Sequence, residues 1–261
     1  MVERVLSFTK RKVVPIRRVF LQTPLGTTAA DGTRRSLLSE FARDTTTLDC
    51  YLWIAALASA RASEEDGTYS AEYPAATWAQ LAGLVEHAEL DAAKTRWSKA
   101  VTRLVGLKLI ERQRKGGKNQ ASYLLLHEDG SGTLYSRPTT KDHGNWFTIP
   151  HNYWLEGWDL KLSGPEKLML LIALDQQDGF DISPERVPDW YGLSRNTAQR
   201  GYKGLVAHGI LDAHATWVAE PKSPNGWKKV VRYTTVGPWA RAARLKAGRS
   251  RKLVPSGSDT R

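Results

Sequence analysis

The chain has 261 residues, 38 Lys+Arg against 27 Asp+Glu for a formal net charge of +11, 41% hydrophobic residues and ten Trp. That apolar content fills real cores and excludes a disordered basic protein, while the charge balance points to an anionic partner. The single cysteine, Cys50, excludes an intrachain disulfide and a Cys-based zinc site; the longest apolar run, DCYLWIAALASA, falls short of the roughly 20 residues that span a bilayer.

Residues 1–36 hold 8 Lys/Arg against 2 Asp/Glu and read as a basic arm punctuated by Pro and Gly, with one short strand at VVPIRRVFLQ. The opening MVERVLSFTKRKVVPIRRVF interleaves charge with its apolar residues and offers no continuous h-region, so a cytosolic, nucleoid-associated protein is expected. A helical region then runs from 37 to about 61, with Cys50 as a packed core thiol. EEDGTYSAEYPAA reads as a loop, and WAQLAGLVEH as a short helix behind Thr77.

AAKTRWSKAVTRLVGLKL predicts a third helix whose inner stripe is Trp97, Val101, Leu104 and Val105. Its outer face carries Lys94, Thr95, Arg96, Ser98, Lys99, Thr102 and Arg103. LIERQRK and QASYLLLH then flank GGKN, a β-hairpin pattern. Three helices followed by a hairpin is the order of a winged helix, here spanning 37–127.

EDGSGTLYSRPTTKDHGN (128–145) reads as an interdomain linker. The order then restarts over 146–240. WFTIPHNYW is a strand and turn; LSGPEKLMLLIALDQQ is a buried helix begun by Ser163 and Pro165; SPERVPDWY is a short helix, and GLS a tight turn. SRNTAQRGYKGLVAHG is the third helix, with Ser194 as N-cap and Ala198, Tyr202, Leu205 and Val206 facing in. ILDAHATWVA and WKKVVRYTTV flank EPKSPNG as a second hairpin.

KAVTRLVGLKLIE (99–111) aligns with RGYKGLVAHGILD (200–212) without a gap, pairing Leu104 with Leu205, Leu109 with Ile210 and Ile110 with Leu211. The predicted fold is therefore α+β, mainly α with small β-hairpins: two tandem winged helices between basic flexible tails at 1–36 and 241–261.

The charge is unevenly placed. Residues 241–261 hold 7 Lys/Arg against 1 Asp/Glu, whereas 37–240 hold 23 against 24. Inside that neutral middle, 94–118 carry nine Lys/Arg and one Glu, including Arg112, Arg114, Lys115 and Lys118 on the first wing. Residues 195–232 carry seven against two, with Lys228, Lys229 and Arg232 on the second. Asn and Gln read adenine and Arg reads guanine in the major groove, which singles out Arg195, Asn196, Gln199 and Arg200; Lys203 sits later, suited to phosphate. A solvated polar face is the plain alternative for any one helix, but two basic helix-wing pairs favour double-stranded DNA. Phosphate binding by TKRKVVPIRR and RAARLKAGRSRK is a weaker signal of the same kind.

No GxxxxGK[ST], GxSxG or HExxH occurs, and the six His residues share no ligand spacing, so no enzyme activity, catalytic residue, cofactor, metal or membrane partner is expected. His208 reads as a cation at a helix C-terminus.

YGLSRNTAQRGYKGLVAHGIL (191–211) resembles the helix-turn-helix of bacterial winged-helix regulators: GLS matches the turn, SRNTAQR the start of the recognition helix and LVAHGIL the passage into the wing. The likeness extends over 146–240, while 37–127 agrees in pattern. It implies Arg195, Asn196, Thr197, Gln199 and Arg200 as base-facing residues in a sequence-specific transcriptional regulator. The paired architecture also resembles plasmid replication initiators, which implies origin repeats as sites, with a homodimer and replication or transcription proteins as further partners. A protein-interaction scaffold is the reading outside DNA binding.

Overall fold

A computed structural model describes residues 1–9, 11–22, 36–60, 62–63, 66–85, 89–113, 120–139, 145–222 and 224–249. It is a mixed α and β structure with small antiparallel sheets. The N-terminal elements are α1 (Val2–Ser7), β1 (Val13–Arg17) and α2 (Leu37–Glu40). There follow α3 (Thr45–Ala58), β2 (Ser70–Pro74), α4 (Ala75–Leu81), α5 (Leu90–Gly106), β3 (Ile110–Gln113) and β4 (Gln120–Leu125).

Helix α3 starts where the Asp44 carboxylate accepts the Thr47 N–H at 3.1 Å, and it is buried from Cys50 to Ala58. A helix apolar all round sits inside a core, and here the other elements wrap it. Trp97 of α5 stacks on Trp78 of α4 with centroids 5.2 Å apart and donates its indole N–H to the Tyr123 hydroxyl at 2.8 Å. The sheet has the order β2-β4-β3. Strand β2 lies inside a segment that reads as a loop, because its turn residues and Pro conceal a sheet edge. Pro74 is tolerated as the last residue of that edge strand.

The second half opens with β5 (Trp146–Pro150), α6 (Asn152–Leu155) and α7 (Trp158–Lys161). It continues with α8 (Gly164–Asp175), α9 (Val187–Tyr191), α10 (Arg195–Ala207), β6 (Leu211–Ala219) and β7 (Trp227–Thr235), and α11 (Arg241–Gly248) follows. Ser163 and Glu166 form a capping box at α8, with Pro165 in its first turn. Strands β6 and β7 pair over nine residues, and a single bridge, Phe180 to Tyr233, stands where β2 joins β4 in the first half.

The apolar positions expected to be buried in the two halves largely are. Leu104 and Leu205, Leu109 and Ile210, and Ile110 and Leu211 are all buried. Two inner positions are corrected: Val105 is 41% and Val206 39% exposed. Each follows a buried Leu by one residue, about 100° around the helix, and so falls off the edge of the apolar stripe.

The flexible N-terminal arm is also corrected. Residues 13–17 are buried throughout as β1, which pairs antiparallel with β5 from Val13↔Pro150 to Arg17↔Trp146. Arg17 donates to Glu128 at 2.8 Å and to the Ser136 carbonyl at 2.6 Å; Arg18 pairs with Asp175 at 2.9 Å. The segment that reads as a linker is held over 128–139, since Glu128 and Tyr135 are buried and Arg137 donates to the Ser59 carbonyl at 2.6 Å. The C-terminal tail likewise begins as α11, whose buried Arg244 donates to the carbonyls of Trp239 and Thr148. The remaining tail, from 250 on, lies outside the described residues.

One continuous core therefore takes in both halves. Across the joint, the Trp53 indole donates to Asp159 at 3.2 Å and Lys167 meets Asp49 at 2.6 Å. Burial pushes Asp49 up to about 6 and Asp159 up to about 7.

Candidate nucleic-acid interface

The second half presents the clearer surface. Ser194 caps α10, its hydroxyl accepting the Thr197 N–H at 3.0 Å while lying 2.9 Å from the Thr197 hydroxyl. Both side chains thus serve the cap, and Thr197 is only partly exposed. Arg195, Asn196, Gln199, Arg200 and Lys203 are all exposed along one side of the helix. Arg195 pairs with Glu185 at 2.9 Å, but both groups remain more than half exposed, so a stronger anion can displace the carboxylate.

The opposite side of α10 is set by two glycines against α8. A Cβ on Gly201 would strike Met169 and lie 2.5 Å from the Pro165 carbonyl oxygen; one on Gly204 would strike the Glu166 carboxylate. Glycine inside a helix costs about 1 kcal/mol relative to Ala, and here it permits a close helix crossing that fixes α10. The Tyr202 ring stacks on Tyr233 of β7 at 4.2 Å and 11°, which ties the base of the hairpin to the same helix. Lys228, Lys229 and Arg232 are exposed on that hairpin. Helix face and basic ribbon therefore belong to one rigid unit.

The first half is more constrained. Arg96, Ser98 and Lys99 are exposed on α5, and Arg112 is exposed on β3. Lys94 pairs with Asp91 at 3.0 Å, and the hydroxyls of Thr95 and Thr102 donate to backbone carbonyls one turn back. Arg103 is corrected as an outward-facing group: it pairs with Asp44 at 2.9 Å and donates to the Glu40 carbonyl, locking α5 to the start of α3. The acceptor Asp44 is itself the α3 cap, which is why the guanidinium turns inward. Arg114, Lys115 and Lys118 lie outside the described residues.

The histidines do separate jobs. His151 is buried and burial pushes it down to about 4. His208, the C-cap of α10, lies edge-on to Trp158 and 3.8 Å from Glu166. Among the described residues no group of three His, Cys, Asp or Glu is placed to hold a metal ion, and no helix is long and apolar enough to cross a membrane.

Two residues absent from the sequence-level site stand out on the ribbon: Trp217 is 67% and Trp227 55% exposed. Their signal in the sequence is the alternation A-x-A-x-W-x-A in β6, which continues an apolar face beyond the core. Comparison of the chain with protein-family models, curated proteins and solved structures finds no match.

Proposed function

We propose that the chain is a sequence-specific double-stranded DNA-binding protein made of two tandem winged helices, 37–127 and 146–240. The observation that carries this reading is the exposed Arg195–Asn196–Gln199–Arg200 face, capped by Ser194 and flanked by Lys228, Lys229 and Arg232. Helix α10 enters the major groove by its N-terminal turns, Asn196 and Gln199 reading adenine and the arginines guanine. Lys203 and the ribbon lysines hold phosphates, and α5 with Arg112 adds a mainly electrostatic grip.

Transcriptional regulation at a promoter and replication initiation at origin repeats are both open to such a protein. The continuous core supports the second: β1 pairs with β5 and Asp49 meets Lys167, so both halves belong to one packed body that would engage DNA together. Selection of full-length protein on random duplex DNA tests the reading. A motif that changes in Asn196→Ala supports it; protein showing no preference over random duplex overturns it and leaves the scaffold reading.

A further inference from the structure

The β6–β7 ribbon is longer than a fold-supporting hairpin requires. Its paired strands are buried at the base, at Leu211 and Thr235, and every residue of β6 after Leu211 is exposed. From the Ala213↔Tyr233 pair to the Ala219↔Trp227 pair is six residues, about 20 Å of ribbon at the usual rise per residue. A two-stranded hairpin is marginal by itself in water, and the outer portion of this one carries exposed apolar side chains.

The pleat says which side chains share that face. Cross-strand partners point the same way, so Ala213, Ala215, Trp217 and Ala219 lie with Tyr233, Val231, Lys229 and Trp227. Tyr233 stacks on Tyr202 of α10, so the outer residues continue the α10 side of the ribbon. Trp217 and Trp227 are diagonal neighbours there, at a spacing of about 7–8 Å, and Lys229 stands directly opposite Trp217. Lys228 and Arg232 lie on the other face of the same strand, where the ribbon carries only Asp212 and Glu220 as acids.

We propose that Trp217 and Trp227 form a stacking platform for unpaired DNA bases, with Lys229 on the same face holding a phosphate of that strand. Indole faces accept any base, and a cation set between them meets the backbone, which is the chemistry of single-strand binding. The charge of the ribbon selects this occupant over a second copy of the same cationic surface, which would bring like charges together. The inference rests on the DNA-binding reading above and extends it: α10 binds paired DNA while the ribbon captures bases opened beside it.

The test uses full-length protein, the duplex motif found by selection, and the same duplex with a mismatched bubble beside the motif. The wild type is expected to bind the bubble at least about tenfold tighter than the paired duplex, with quenching of its tryptophan fluorescence. Trp217→Ala/Trp227→Ala should lose that preference while keeping its paired-duplex affinity, and Trp217→Phe/Trp227→Phe should restore most of it. Paired-duplex binding without a bubble preference, or a preference that survives the alanine pair, overturns the platform and leaves the duplex reading intact. A loss of self-association in the alanine pair with the bubble preference unchanged also overturns it, in favour of a dimer contact. Absence of binding to any DNA removes both readings.

Discussion

The two halves place equivalent residues in opposite service. At an offset of 101 residues Ala100 matches Gly201 and Arg103 matches Gly204. In the first half Arg103 reaches the cap of α3 through Asp44 and the Glu40 carbonyl. In the second, Gly204 leaves room for Glu166 at the start of α8 to come against the α10 backbone. The first solution uses a basic residue to lock the helix; the second locks it with glycines and leaves Lys203 and Arg200 outward. The sheets differ in the same sense. Strand β2 closes one edge of β4 over five residues, whereas β7 receives one bridge and then runs out into solvent. One copy has put its polar resources into internal fastening, the other into surface.

That contrast can be broken from several directions. The largest effect concerns the joint on which both halves depend. Asp49 and Asp159 have folded pKa values raised to about 6 and about 7, chiefly by burial, from the ordinary 3.8 of an aspartate. A raised carboxylate pKa stabilises the fold below its unfolded value, and the contribution is lost as pH rises through the folded value. The unfolding free energy from urea titration should therefore fall between pH 3.8 and about 7 from these groups, by roughly a few kcal/mol. Asp159→Asn should flatten that slope; an unchanged slope would show that the joint does not carry it.

Next comes the helix crossing. Gly201→Ala puts a methyl group against the Pro165 carbonyl, a backbone atom that cannot swing aside, at a cost of about 2–3 kcal/mol in denaturant unfolding. The reverse change at the matching site, Ala100→Gly, should cost about 1 kcal/mol through helix propensity. Equal costs would mean that the two crossings are equally tight.

Base reading should divide the copies. Asn196→Ala or Gln199→Ala should relax preference at one base position by about 1–3 kcal/mol, while Arg96→Ala or Lys99→Ala weakens all sequences alike. A motif that changes with Arg96 instead would assign the reading to α5.

The smallest effect separates one cation of each half. Arg103→Ala should lower stability by about 1 kcal/mol or less, because the pair is about a third exposed, with little change in DNA affinity. Lys203→Ala should do the reverse, lowering affinity and the salt slope while leaving the urea midpoint in place.

Much of this arrangement was legible in local chemistry. Helix starts followed from Ser163 and Ser194, because capping needs only a side chain and the N–H groups two or three residues on. The buried helix faces were legible because they recur with a period set by the backbone itself, as Leu104 and Leu205 show. The outward set on α10 was legible for the same reason, in the negative: Arg195, Asn196, Gln199, Arg200 and Lys203 fall off the apolar stripe.

What depended on distant partners was not legible. VVPIR reads as a short strand in a basic arm, as found, but its burial depends on β5. SAEYP is a strand because β4 offers it an edge, and Arg103 turns inward because α3 presents a capped N-terminus there. Trp217 and Trp227 alternate as any strand residues do; that their face runs past the core is a fact of where α10 ends. Helix periods and caps are properties of consecutive residues, whereas strand pairing, ion-pair choice and exposure are settled by groups distant in the chain. The sequence by itself determined two similar helix-and-hairpin units; tertiary packing decided that one is closed and the other left open.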